Sequence, residues 1–474
     1  MKDNKIVFSK QISQRAILTY FIALAIVSVL YFNYTMPLGF IALGIVSVLG
    51  FFLLTSRWSK EWGTRPESLF VRYIFLSALI LRLIWVFGSY FYYLSTYGTP
   101  FEFDSADALS YHEYASWINR SFRTVWDVFA LFFTPGNFDG ISDVGYPLYL
   151  TLLYKVFGEG ILLPRIIKAF ISAYTCVLVY KLGSRTFGEP TGRLSGIMMA
   201  LMPNLIIYCG YHLKETEMIF LEIAFLERLD YVIRYKKASF WNILIPMLLA
   251  GSLFFFRTVL GAAAIFTFIS TVLFSSSPNM KKGLKRLSYF GWGLLCIAVL
   301  WGGKVSTAIE GYWEQKDTNQ SKRRYEQTVR GNQWAKYATG TVMAPMVLVL
   351  PFSTMVNIDQ QYAQQAKHGG NYIRNFMGFF AILAIYEALR RKKWRDFVLI
   401  GAFTFSYLGV VSLSGFSNSE RFLLPALPGL ILMWSYGYSA LREKTYRLLT
   451  PWCVVVILME FAWAFFKLGS RGLI

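Results

Sequence analysis

The chain has 474 residues, of which 55% are hydrophobic, 18% aromatic and only 16% charged. That balance excludes an ordinary soluble enzyme and a disordered chain, and describes a polypeptide that enters lipid repeatedly. The formal net charge of +20 falls mostly in short Lys and Arg clusters between apolar runs, so it reads as membrane topology and not as a nucleic-acid footprint.

In chain order, apolar runs predict spans over residues 16–34, 36–55, 71–95, 161–182, 194–211, 215–234, 239–256, 258–276, 287–305, 374–390, 397–415, 421–440 and 448–467. The fold class is therefore all-α and polytopic, with about thirteen transmembrane helices. The basic N-terminus precedes an apolar stretch without a small-residue cleavage site, so that stretch is expected to stay as a helix. Basic clusters at Lys5, Lys10 and Arg15, at Arg57, Lys60 and Arg65, at Arg234 and Lys236, at Lys281 and Lys285, and at Arg390 to Lys393 can all face the cytoplasm together. This holds if Tyr146 to Phe157 does not cross, and that stretch is short for a span. Thr341 to Val356, broken by Pro345 and Pro351, suits an interfacial or re-entrant piece. Cys176, Cys209, Cys296 and Cys453 lie in apolar segments without paired spacing, which favours small buried residues over disulfides. No repeat or linker divides residues 1–474, so one domain is expected, with a first extracytoplasmic loop over 96–145 carrying juxtamembrane helices and a second extracytoplasmic region over 306–373.

Chemistry-bearing residues collect on the outer side of this topology. The first loop holds Glu102, Asp104, Asp107, Glu113, Asp127, Asp139 and Asp143 against Arg120 and Arg123, the reverse of a cytoplasmic loop. Asp104 and Asp107 are three residues apart, which sets both carboxylates on one helical face, continued by Tyr111 and Ala115. One carboxylate there could act as a general base. Equally, Asp104 could cap the helix while Asp107 complements its dipole. The turn YHLKET gathers His212, Lys214 and Glu215 between two spans. Lys214 suits a phosphate, and His212 with a first-loop carboxylate suits a divalent metal ion. As an ordinary interfacial turn, Glu215 caps the next helix and Lys214 meets lipid phosphate. Arg257 and Arg421 stand at the outer ends of predicted spans, either binding phosphate through a bidentate fork or snorkelling to the headgroup layer. Arg82, Glu222, Glu227, Glu387 and Glu460 fall inside apolar runs, where a charge costs about 2.5 to 3.5 kcal/mol; each should face a partner or water. The segment from Ser306 to Gly340, with Arg324 and Tyr325, reads as a mixed-charge helical loop that covers the site or lies on the surface.

DALSYHEYA fits a D-x-x-x-Y-x-x-x-A pattern and resembles the GT-C superfamily of lipid-carrier-dependent glycosyltransferases, in the branch of protein O-mannosyltransferases and aminoarabinose transferase. GYPLYLTLLYKVFGEG, LLPRIIKAF, KLGSRTFGEPTGRLSGIMMALMPN, FFFRTVL and SERFLLPALP resemble further elements of that branch in the same order. The resemblance implies a catalytic carboxylate at Asp107. It also implies a polyprenyl-phosphate-linked sugar donor, a glycan, lipid or protein acceptor, and an active site on the extracytoplasmic face of the cytoplasmic membrane. Most members carry an acid directly after that Asp, whereas this chain has Ala108. The expected activity is an inverting sugar transfer with Asp107, supported by Asp104, as base. Lys214, Glu215, Arg257, Arg421, His212 and Tyr111 are its expected binding residues. A polysaccharide polymerase or ligase on lipid-linked glycans, or a flippase of lipid-linked sugar, are the alternative readings of the same chain.

Overall fold

The computed structural model describes residues 5–102, 106–122, 124, 126–127, 144–234, 240–274, 346–359, 361–392, 394–413 and 419–474. The first helices are α1 (Lys10–Leu30), α2 (Leu38–Trp62), α3 (Glu67–Tyr97), α4 (Ala106–Ser121) and α5 (Gly145–Phe157). They are followed by α6 (Leu162–Phe187), α7 (Glu189–Leu201), α8 (Pro203–Ile207), α9 (Glu215–Arg234), α10 (Phe240–Phe256) and α11 (Thr258–Phe274). The C-terminal part contains α12 (Tyr362–Ala366), α13 (His368–Arg390), α14 (Val398–Leu413), α15 (Glu420–Leu423), α16 (Leu427–Ser439), α17 (Glu443–Tyr446) and α18 (Leu449–Gly469). The described residues form an all-helical, multi-pass membrane protein.

Seven helical stretches among the described residues have the length and apolarity to cross a membrane, and the bent pair α7–α8 makes an eighth. The predicted count of about thirteen is larger because composition alone cannot tell a full span from a shorter or charged helix. Helix α9 matches the predicted span 215–234 but carries Glu217, Glu222, Glu227 and Asp230, all buried. Helices α10 and α11 are 17 residues each. The predicted span 421–440 is interrupted, since α15 passes through a 3-10 turn, Leu424–Ala426, into α16. The predicted span 287–305, the segment 306–340 and Cys296 lie outside the described residues. Tyr146 to Phe157 falls in the 13-residue helix Gly145–Phe157, about 20 Å long and too short to cross alone. Residues 346–356 are irregular and mostly buried, with Asn375 donating to the Val349 and Pro351 carbonyls at 2.6 and 3.0 Å. Irregular backbone survives at membrane depth only when protein satisfies it in this way.

The bundle is cemented by close backbone approaches and by satisfied buried charge. Helices α6 and α7, α3 and α6, and α13 and α16 pack side by side. A Cβ on Gly437 would stand 1.9 Å from the Phe380 carbonyl oxygen, so only glycine lets α16 approach α13 so closely. The predicted span over 194–211 breaks at Met202–Pro203 with a bend of 51°, because Pro203 cannot donate to the preceding turn. Arg82 answers the break: fully buried on α3, it donates to the Met199 and Ala200 carbonyls at 3.3 and 3.1 Å and to Ser172 Oγ at 2.7 Å. Glu227, Glu387 and Glu460 find partners too, whereas the buried Glu222 leaves its Oε2 without a hydrogen bond among the described residues. Arg185 binds Glu227 and Asp230, each at 2.8 Å; Arg391 binds Glu387 at 2.7 Å; Glu460 accepts from Ser353 N at 3.1 Å.

The helices alternate in direction. One end gathers Lys5, Arg57, Lys60, Arg185, Arg193, Arg390 and Arg391. The other mixes Glu102, Asp107, Glu215 and Glu420 with Arg165, Arg257, Lys367 and Arg421 around the start of α4, the start of α9 and the turn before α16. Helix α3 reaches that second end and stops at Gly98, whose φ of 71° supplies the left-handed cap. From there the chain turns into the segment that carries Glu102 and α4.

Candidate active site

Helix α4 is held from beneath by α5. Thr151 donates to the Ala115 carbonyl at 3.3 Å, the Tyr111 and Tyr146 rings meet edge to face at 5.2 Å, and His112 Nδ1 lies 2.8 Å from the Tyr154 hydroxyl. These contacts turn Ala108 and Ala115 into the protein while Asp107, one residue into the helix, keeps its carboxylate 59% exposed. Asp107 lines the cavity described below, while Tyr111 packs on Tyr146 and Ala115 is buried against α5. Asp104 lies outside the described residues.

Across from Asp107 stands Arg421, on α15. Its Nη1 donates to Asp107 Oδ2 and its Nε to Glu215 Oε1, so one planar guanidinium joins an exposed carboxylate on α4 to a fully buried one on α9. Arg257 sits behind this bridge with Nη2 3.7 Å from the same Glu215 oxygen. Its Nη1 donates to Tyr407 Oη at 2.9 Å, Tyr407 donates onward to the Phe422 carbonyl at 2.8 Å, and the guanidinium lies 4.6 Å from the Phe422 ring. Arg257 therefore fixes the turn that presents Arg421. It does not line the cavity described below.

The YHLKET turn divides between two environments. Lys214 is buried with its ammonium 5.7 Å from the centre of the Tyr111 ring, and Glu215 joins the arginines. His212 points the other way: fully buried, its Nε2 is 3.3 Å from the Tyr154 hydroxyl and its backbone N–H donates to Glu102 Oε2 at 3.3 Å. Burial, helped by Lys168 and Arg165 nearby, holds its imidazole well below the ordinary histidine range. Burial likewise raises the Glu102 carboxyl, opposed by Arg165 at 3.3 Å. Among the described residues no three His, Cys, Asp or Glu side chains gather as metal ligands. His212 meets the first-loop carboxylate of Glu102 through its backbone N–H and not its ring.

A cavity of about 300 Å³ opens between these groups, walled by Glu102, Asp107, Tyr208, Tyr211, Lys367, Glu420 and Arg421, with Gln361 and Gln364 at one side. Lys367 and Glu420 are functional candidates that sequence reasoning passed over. Their ion pair is 2.6 Å. Glu420 also accepts from Asn204 Nδ2 at 2.5 Å and Tyr208 Oη at 3.3 Å. Glu420 stands beside Arg421 in SERFLLP, and Lys367 lies in the polar break before α13; a charge next to an already chosen arginine was the available signal.

Fold and site together define a multi-pass helical membrane protein with a charged cavity at one end of its bundle. No family model and no curated protein matches the sequence. Among solved structures, the chain is similar to ArnT from Cupriavidus metallidurans bound to undecaprenyl phosphate, at 14% identity and a TM-score of 0.49 over 81% of this chain. It is similar as well to the oligosaccharyltransferase of Archaeoglobus fulgidus, at 12% identity and a TM-score of 0.46 over 85% of this chain in its apo form. The complex of that enzyme, AglB, with an inhibitory peptide and a dolichol-phosphate matches at 12% identity and a TM-score of 0.44. This chain spans 62% of the length of the first and 54% and 56% of the other two.

Proposed function

We propose that the protein is an integral membrane glycosyltransferase. It transfers a sugar from a polyprenyl-phosphate-linked donor to an acceptor at the outer face of the cytoplasmic membrane. The observation that carries this reading is the bridge of Asp107, Arg421 and Glu215 at the mouth of a polar cavity. The end of the bundle opposite the site bears the Lys and Arg clusters, which supports a cytoplasmic location for that end and an outward site.

In the proposed reaction the acceptor hydroxyl gives its proton to the Asp107 carboxylate as its oxygen forms a bond to the anomeric carbon. The bond from that carbon to the phosphate oxygen breaks with inversion, and the lipid phosphate leaves with its electron pair. Arg421 does two things in this step. It orients the base through Nη1, and it lies where negative charge grows on the leaving group. Glu215 holds Arg421 from behind and supplies the second acid of the site from α9, in place of the acid absent at Ala108. Arg257 is a positioning residue, acting through Tyr407 and Phe422.

A polymerase or ligase would need no base at this end of the first loop, and a flippase would need polar groups along the bilayer path. Here Arg82, Glu227, Asp230 and Glu387, buried away from the site, are engaged in local ion pairs and carbonyl contacts. The test is direct: purified protein is offered a panel of polyprenyl-phosphate sugars and release of free polyprenyl phosphate is measured. Turnover of one donor, lost in Asp107→Asn and in Arg421→Gln, is the expected result. Undiminished turnover in a folded Asp107→Asn protein rules the assignment out.

A further inference from the structure

Beside the polar cavity lies a second one of about 970 Å³, walled chiefly by apolar side chains of α2 and α3, among them Phe40, Leu43, Leu81, Ile84 and Tyr92. Its lining also includes Gly39, Gly50 and Gly88, and a Cβ on any of these would meet nothing within 4 Å. These glycines thus leave open space along two facing helices where larger side chains would fit, and the volume suits a long thin apolar ligand.

The two cavities share a wall. In α12, Tyr362 and Ala366 line the apolar groove while Ala363 and Gln364 line the polar cavity. Lys367 follows directly and faces the polar side. The helix is anchored: Lys467 donates to both Gln361 and Gln364 Oε1 at 2.9 Å.

Lys367 and Arg421 are the cations in the polar cavity's wall among the described residues, and their commitments differ. Arg421 is held by two carboxylates. Lys367 has Glu420 and donates to the Tyr208 hydroxyl at 3.1 Å, and Glu420 keeps the Asn204 amide and the Tyr208 hydroxyl as donors if the ammonium turns away. A compact ammonium on a flexible stem can make that turn toward a phosphate, with the Tyr208 ring 4.7 Å away as a second support.

We propose that Lys367 binds the phosphate of the lipid donor, and that α12 is the sill over which the molecule lies, its aliphatic chain in the α2–α3 groove and its head in the cavity beside Asp107. The proposal rests on the transferase reading and names the residue and path by which the carrier is held. The occupant is a long-chain polyprenyl phosphate from the surrounding membrane.

The full-length protein is purified in mild detergent. Its binding of a long-chain polyprenyl monophosphate is measured by native mass spectrometry beside the matching polyprenol, phosphatidylglycerol and inorganic phosphate. Wild type and Asp107→Asn are expected to retain polyprenyl phosphate at least tenfold more tightly than the other three. The paired substitution Lys367→Gln with Glu420→Gln removes both members of the ion pair and is expected to erase that preference, while Lys367→Arg keeps part of it. Gly88→Phe fills open space and is expected to weaken polyprenyl phosphate and polyprenol alike. Wild-type affinity in the folded double variant, or equal retention of phosphatidylglycerol, overturns the proposal while leaving the transferase reading standing. If wild type binds no polyprenyl phosphate at all, both fall.

Discussion

The two carboxylates on Arg421 should separate cleanly when each is replaced by its amide. Asp107 is 59% exposed, so its ion pair is screened and worth about 1 kcal/mol or less. Its place in the first turn of α4 adds about 0.3–1 kcal/mol of helix-dipole energy. Glu215 is fully buried and faces two guanidiniums, and removing one partner of such a pair costs about 3–5 kcal/mol. Asp107→Asn should therefore unfold within about 2 kcal/mol of wild type, and Glu215→Gln should be clearly weaker. Transfer should follow the opposite logic. Losing a general base costs about 10²- to 10⁴-fold in rate even in fully folded protein, so activity per folded Asp107→Asn molecule should collapse. Denaturation in mild detergent, followed by tryptophan fluorescence, gives the stability arm, and transfer normalised to folded protein gives the other. If Asp107→Asn loses as much stability as Glu215→Gln and its activity falls only in proportion to unfolded protein, Asp107 is a helix-stabilising acid and the mechanism fails.

Other consequences follow from the same geometry. Arg257→Lys keeps a charge near Glu215 but cannot also reach Tyr407 with a planar fork, so turnover should fall about tenfold or more through a misplaced Arg421, the loss of one charge-assisted hydrogen bond being worth about 1.5–3 kcal/mol; unchanged binding of lipid phosphate, measured separately, would mark it as positioning. Arg82→Leu strands the Met199 and Ala200 carbonyls at the bend between α7 and α8, at about 1–3 kcal/mol each, and a wild-type denaturation midpoint would refute that role. His212 and His112 both have imidazoles depressed by burial. The folded state thus binds fewer protons than the unfolded chain, and their contribution is complete above the ordinary histidine pKa and lost as pH falls below it. Stability should decline below about pH 6.5, and His212→Asn should flatten that decline.

Much of this architecture was legible because lipid imposes simple rules. Apolar length announced the helices, and basic clusters announced which ends lie together. Asp107, Arg421 and Glu215 were each visible as charge at a membrane edge, although 314 residues separate the first two, and nothing local could reveal that the one guanidinium joins the two carboxylates. Arg257 was visible in the same way, but an arginine at a helix end looks alike from sequence whether it faces a ligand or a buried carboxylate. The stop at Pro203 was legible as a proline within an apolar run, but not the far-off Arg82 that satisfies the freed carbonyls. Lys367 and Glu420 became meaningful only when folding set them across a cavity from Asp107.

The central claim is that Asp107 is the base of a sugar transfer, and cellular glycans report on it most directly. Mass spectrometry of glycans and glycolipids is compared in a strain lacking this protein, the same strain carrying wild type, and the same strain carrying Asp107→Asn at equal membrane abundance. The account predicts that one and the same sugar is missing from the deletion and Asp107→Asn strains and present with wild type. Restoration of that sugar by Asp107→Asn contradicts it.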